Sequence, residues 1–190
     1  MTLRILGAVL AGGAARRFGG DKALALAHGV PMIDRIAAGL RPQVAEMVLC
    51  GRSLPGWHML DDRPRAGLGP LGGLCAALRH AQRQGFDLVL SVASDVLPVP
   101  AELAGWLGAG AGAGAGADAA VVAGQHLLGL WPTALADKLD SHLAASDDRS
   151  LRTWIAACGA KPVEIPVTMF NINTPADLVR FESDGGCARG

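Results

Sequence analysis

Residues 9–22 read VLAGGAARRFGGDK. The apolar run before it, RILGAVL at 4–10, has the continuous hydrophobicity of a strand buried on both faces. It stops at Gly12 and Gly13, and Arg16, Arg17 and Lys22 follow within one short stretch. In open parallel sheets, ligands sit beyond the carboxyl ends of the strands. Glycines placed there let backbone N–H groups approach an anion, and the three cations add charge. The stretch therefore reads as a holder of nucleoside triphosphate phosphates, against the plainer alternative of a tight turn with solvated bases. It is not a Walker A loop, which needs GxxxxGK followed by Ser or Thr. It also lacks the GxGxxG of a dinucleotide-binding turn.

Working outward, strands and helices alternate. EMVLC (46–50), MLDD (59–62) and DLVLSVASD (87–95) are further apolar runs, and AAVVAG (119–124), HLLGLWP (126–132) and PVEIPV (162–167) add later strands. Between them lie helical patterns at 31–41, 71–84 and 100–107, two late helices in TALADKLDSHLAA and DRSLRTWIAACG, and a last one at 174–182 that starts Thr-Pro. This order predicts an α/β protein: one mainly parallel sheet covered on both faces, in a Rossmann-like three-layer α/β/α domain, with some antiparallel content from the 119–132 pair. One domain is expected over 1–182. GAGAGAGAGA at 108–117 reads as a flexible surface loop, and 183–190 as a disordered tail.

Composition narrows the function. The chain has 190 residues, no tyrosine and zero formal net charge, so no global field draws it to nucleic acid or to a membrane. The histidines show no metal-ligand spacing. Cys50, Cys75, Cys158 and Cys187 form no CxxC pair, and the first three read as small apolar residues. The N-terminal stretch reads as a first strand rather than a signal peptide, no run is long enough to span a bilayer, and a soluble cytoplasmic protein is expected.

Three more stretches carry polar chemistry. Asp95 ends the apolar run of VASDVLPVP, where a carboxylate is either a ligand for Mg²⁺ or a cap on the next turn. In LDDRPRAGLGPLGGL (60–74), Gly69 belongs to a glycine-rich loop that can lie against a ring and then open a helix, and Asp62 is either an acceptor for a base or ribose or a turn carboxylate. In FNINTPADL (170–178), Asn171 and Asn173 alternate onto one face of an extended segment, suited to a polar heterocycle or to turn and cap roles. Trp131 reads as core.

Together and in this order, LAGGxxRRxGxDK, GPLxG, SD followed by Pro, and NxNTPxDL resemble the molybdenum cofactor guanylyltransferases, within the nucleotide-diphospho-sugar-transferase-like nucleotidyltransferases. The likeness runs from about residue 5 to about 182. It implies transfer of GMP from GTP to molybdopterin-bound molybdenum cofactor with Mg²⁺, releasing pyrophosphate. By matched position, Leu10, Ala11, Gly12 and Gly13 would line the nucleotide. Arg16, Arg17 and Lys22 would hold phosphates, with Arg16, Lys22 and Asp95 catalytic. Cys50, Asp62 and Gly69 would lie at the nucleoside, Asp95 would bind the metal, and Asn171 and Asn173 would face the pterin. The implied partners are GTP, molybdopterin, other cofactor-assembly proteins and molybdoenzyme chaperones.

The chain departs from the family pattern at Cys50, where an Asn is usual at the nucleoside contact, and at Phe18, where Met is common. A CTP-dependent cytidylyltransferase acting on the same pterin, and a non-catalytic nucleotide or cofactor carrier, are the alternatives.

Overall fold

A computed structural model of the protein describes residues 3–12, 22–112, 118–145 and 148–184. The first run, β1 (Ile5–Leu10), lies inside a seven-stranded sheet. β1 pairs in parallel with β4 (Glu46–Cys50) on one side and β6 (Leu88–Ala93) on the other. β4 in turn pairs in parallel with β5 (Met59–Leu60) at one edge. Beyond β6 come β9 (Gln125–Pro132), β8 (Ala120–Val122) and β10 (Lys161–Val163). β9 runs against both its neighbours, and the remaining pairs of this sheet are parallel. Two small antiparallel pairs complete the strands: β2 (Leu26–Ala27) with β3 (Val30–Pro31), and β7 (Val96–Leu97) with β11 (Phe170–Asn171).

Helices cover both faces, as the continuous apolar strands require. On one face α2 (Pro70–Arg83), α4 (Ala136–Ala145) and α5 (Leu151–Cys158) bring Leu71, Leu78, Leu139 and Trp154 against Leu6, Ala8 and Leu10 of β1. On the other, α1 (Met32–Leu40), α3 (Leu103–Ala111) and α6 (Pro175–Asp184) set Met32, Ile36, Leu103 and Phe181 with Val9, Val92 and Leu130. The period of two along β1 divides its side chains between these two cores. Trp131 is fully buried, and its indole N–H donates to Ser91 Oγ at 2.8 Å. Ser91 in turn donates to the Leu127 carbonyl at 2.8 Å, so this buried polar pair is satisfied.

The structure departs from the sequence reading in several places. α3 continues to Ala111, so residues 108–111 of the Gly-Ala run are helical rather than loop. The reason is tertiary: Ala111 is buried, and a Cβ on Gly110 would stand 2.3 Å from Val163 Cγ2, so only glycine lets α3 settle on β10. The rest of that run, 113–117, lies outside the described residues. The last strand of the large sheet ends at Val163, not at 167, and the chain turns towards β11. α6 reaches Asp184, while 185–190, with Cys187, lie outside the described residues. Cys75 is more than a small apolar filler: its thiol donates to Asp140 Oδ1 at 2.8 Å, tying α2 to α4. Among the described residues, no helix is long and apolar enough to cross a membrane.

Candidate active site at the carboxyl edge of the sheet

The strand registers put Leu10 opposite both Cys50 and Ala93, so β1, β4 and β6 end level with one another. Backbone bonds lock these ends. Ala11 N–H donates to the Cys50 carbonyl at 2.9 Å, and Ser94 N–H donates to the Leu10 carbonyl at 3.1 Å. Leu10 and Ala11 are buried side chains that contribute their backbone to the edge, while Gly12 is exposed there. Gly51 sits beside it at φ +83°, and a Cβ on Gly51 would come within 2.7 Å of Gly12 Cα. Two chain segments meet here at a separation that any other residue would open.

One end of this edge is built by β5 and α2. Asp62 follows β5 and is half-buried. Backbone N–H groups of Gly67 and Leu68 bond to its carboxylate, yet Oδ1 is buried and has no hydrogen-bond partner among the described residues. That oxygen lies towards Gly12 and Gly51, about 4.0 and 3.5 Å from where their Cβ atoms would be. Burial pushes the Asp62 carboxyl above the usual carboxylate range, and only part of that is offset by the two backbone bonds. Gly69, half-exposed, precedes Pro70 at the first position of α2. Gly72 must be small for another reason, since its Cβ would meet the Asp62 side chain at 3.0 Å.

Cys50 does not present its side chain to this edge. It is 1% exposed, inside the core below α2, and a Cβ on Gly73 would touch its Cβ at 3.0 Å. Burial and the nearby Asp62 charge push its thiol up to about 12, so it stays neutral. Its part in the site is its carbonyl, which holds Ala11.

The other end of the edge is charged. Asp95 follows β6, and Lys22 Nζ reaches its Oδ2 at 2.9 Å. Asn173 Oδ1 stands 3.4 Å from the same ammonium, so three residues far apart in sequence converge. The 170–173 segment is pinned here because Ile172 N–H donates to the Asp95 carbonyl at 2.8 Å. Ile172 is fully buried while Asn171 and Asn173 are exposed, the alternation expected of an extended strand.

Asp177, not marked by the sequence reading, fixes this turn. Its Oδ2 accepts from Asn173 N at 3.1 Å, Thr174 N at 2.9 Å and Thr174 Oγ1 at 2.9 Å. Its own N–H donates back to Thr174 Oγ1 at 3.2 Å. The signal was present as Thr174-x-x-Asp177, a reciprocal cap. The Thr174 hydroxyl and these backbone bonds hold the Asp177 carboxyl below its usual range.

Gly13, Arg16 and Arg17 lie outside the described residues. The donor set suits Mg²⁺, a hard ion usually bound by one or two carboxylates together with substrate phosphates. Asp95 supplies one such carboxylate. Among the described residues no group of three or more acids, histidines or cysteines could hold a metal unaided. A metal at Asp95 would therefore be completed by the nucleotide's phosphates.

Comparison with known proteins identifies the family and the fold. Residues 7–163 match the family model of the MobA-like NTP transferase domain. The chain is 35% identical over 193 residues to a molybdenum cofactor guanylyltransferase of Sinorhizobium fredii, covering 92% of this chain and 88% of that protein. It is 37% identical over 187 residues to one of Rhodobacter capsulatus, covering 95% and 96%. Among solved structures, molybdopterin-guanine dinucleotide biosynthesis protein A of Archaeoglobus fulgidus shares the fold, with a TM-score of 0.69 at 23% identity over 94% of this chain and 97% of that one. The 2-C-methyl-D-erythritol 4-phosphate cytidylyltransferase of Thermus thermophilus does so at 0.67 and 20%, over 96% and 98%. The chain is a nucleotidyltransferase and belongs to the MobA-like NTP transferase domain family.

Proposed function

We propose that this protein transfers GMP from GTP to the terminal phosphate of molybdopterin-bound molybdenum cofactor, releasing pyrophosphate. The observation that carries the reading is the convergence of Lys22, Asp95 and Asn173 at the same sheet edge as Asp62, which is flanked by Gly12, Gly51 and Gly72, in a chain so similar to molybdenum cofactor guanylyltransferases. Both reactants are anions, so bringing them together is the main obstacle. Lys22 supplies the cation that offsets phosphate charge as the acceptor oxygen approaches the α-phosphorus. Gly12, Gly13, Arg16 and Arg17 belong to the same phosphate-holding loop in this reading. The unpartnered Oδ1 of Asp62 accepts from a nucleoside hydroxyl or ring N–H, a contact whose donor the protein does not provide. Asn173, held by Asp177 and Thr174, positions the acceptor beside Asp95.

Mg²⁺ bound by Asp95 and the triphosphate would neutralise charge on the reacting and leaving phosphates. No general base is required, because a phosphate nucleophile is already ionised. The product's onward partners would be cofactor-assembly proteins and molybdoenzyme chaperones.

Calorimetric titration with GTP, CTP, ATP and UTP, each with Mg²⁺, followed by a pyrophosphate-release assay with molybdenum cofactor, tests this. Selective GTP binding and cofactor-dependent release are expected. CTP selectivity would move the chain to cytidylyl transfer, and binding without release would make it a carrier.

A further inference from the structure

Lys22 opens a short 3-10 turn (Lys22–Leu24) that leads straight into the β2–β3 hairpin. The two strands have two residues each, and a hairpin that short has little stiffness of its own. Its anchors therefore decide where it stands. At its base it is tied to α1. Ala25 N–H donates to the Lys22 carbonyl at 3.1 Å, Met32 N–H donates to the Ala25 carbonyl at 2.9 Å, and Arg35 Nε donates to the Ala27 carbonyl at 2.6 Å. At its tip, His28 and Gly29 have φ of +48° and +74°, the two positive values of a type I′ turn. Among the described residues His28 is the one non-glycine with positive φ, at a place where glycine, asparagine or aspartate is usual.

What histidine adds at this turn is a contact across the fold with α6. Its ring lies 5.9 Å from that of Phe181, tilted at 60°. Phe181 is buried and meets Phe170 of β11 in a T-shaped pair at 5.7 Å. The His28 N–H donates to Glu182 Oε1 at 2.6 Å, a short bond to a carboxylate. α6 therefore reaches the transfer site by two routes. Its first turn carries Asp177, which accepts from Asn173 N–H, and Asn173 Oδ1 stands 3.4 Å from Lys22 Nζ. About 8 Å further along the helix axis, Phe181 and Glu182 hold the tip of the hairpin that Lys22 leads into. The contacts close a circuit from Lys22 through the hairpin, Glu182, α6, Asp177 and Asn173 back to Lys22. Two of the groups that converge at Asp95 are thus referred to one helix.

We infer that Glu182 is a positioning residue for the transfer: by gripping the His28 turn it fixes the hairpin so that the Lys22 ammonium stands against Asp95 and Asn173. The inference rests on the proposed role of Lys22 in phosphate transfer. Glu182 acts through Lys22, so its loss lowers the fraction of time the cation is aligned and falls on kcat more than on binding. The test compares Glu182→Ala, Glu182→Gln, Lys22→Ala and the Glu182→Ala/Lys22→Ala double variant. Pyrophosphate release is measured at saturating GTP and molybdenum cofactor, GTP Kd by calorimetry, and folding by thermal melt. Glu182→Ala is expected to lower kcat about tenfold, with GTP Kd within about threefold of the parent and the melting temperature kept. Glu182→Gln, which still offers an acceptor to the His28 N–H, should recover most of the loss. With Lys22 already replaced by Ala, removing Glu182 should change kcat by less than about twofold, because the group it positions is gone. Unchanged kcat in Glu182→Ala, a loss that Glu182→Gln does not recover, or an equal loss with and without the Lys22 side chain would overturn the positioning role and leave the transfer reading standing. A parent protein that releases no pyrophosphate with GTP and the cofactor would overturn the transfer reading, and the positioning role with it.

Discussion

Asp62 and Asp95 both follow strands of the same sheet and emerge at the same edge, yet they are built in opposite ways. Asp95 is satisfied: Lys22 neutralises one oxygen, and its own carbonyl is used by Ile172. Asp62 carries a buried oxygen with no partner among the described residues, behind backbone so close that glycine is required. A buried acceptor without a donor is unfavourable by about 1–3 kcal/mol, a strain that a ligand's N–H or O–H can relieve. A neutralised carboxylate suits charge that must be exchanged during the reaction. In the proposed reaction, this contrast would separate recognition at Asp62 from transfer at Asp95.

The largest effect should come from Asp95. Asp95→Asn is expected to lower kcat roughly a thousandfold with the melting temperature kept, since it removes the partner of Lys22 and the carboxylate proposed to bind the metal. Steady-state pyrophosphate release beside a thermal melt checks this, and near-normal turnover would end the metal assignment. Lys22→Ala comes next. Losing a charge-assisted phosphate contact should weaken GTP binding about tenfold by calorimetry, and Lys22→Arg should restore part of it.

Asp62→Asn should also raise the GTP Kd by about tenfold, but with kcat little changed, because its contact serves ground state and transition state alike. The pH dependence sharpens the point. With its pKa raised by burial, Asp62 takes up a proton at higher pH than an ordinary carboxylate, so GTP affinity should begin to fall on acidification earlier than that range predicts. Asp62→Asn should abolish this early fall. The sign for stability is the reverse of a salt-bridged acid. The folded chain binds this proton more tightly than the unfolded chain, so ionisation of Asp62 as pH rises works against folding, and Asp62→Asn should not lower the melting temperature near neutral pH.

Two smaller effects bound the comparison. Thr174→Ala should lose about 1 kcal/mol of stability through the broken cap and raise the acceptor KM modestly by loosening Asn173. Cys50→Asn should lower stability by about 1–3 kcal/mol, since it places an amide in the core under Gly73, and leave GTP-over-CTP preference unchanged. A switch in base preference there would show that position 50 reads the base directly.

Much was legible in the sequence because it depends on local pattern. The continuous apolar runs that make β1, β4 and β6, the glycines that follow β1, and the acid that ends β6 each carry their meaning within a few residues. So does the Thr-Pro start of α6. The same patterns pointed to an α/β fold and to the likeness to a nucleotidyltransferase family, and a phosphate-binding edge is the proposal that follows from them. What local pattern could not carry is any distance between segments. The Gly-Ala run reads as loop by propensity, yet its first residues are helical because Gly110 allows α3 to seat on Val163. Cys50 matches a nucleoside contact by position, but the strand's period of two turns its thiol into the core. Lys22, Asp95 and Asn173 meet only because the registers end the strands level and β11 folds back onto β7. Composition and periodicity determine which faces are buried; the packing of those faces determines which polar groups, distant along the chain, come within reach of one another.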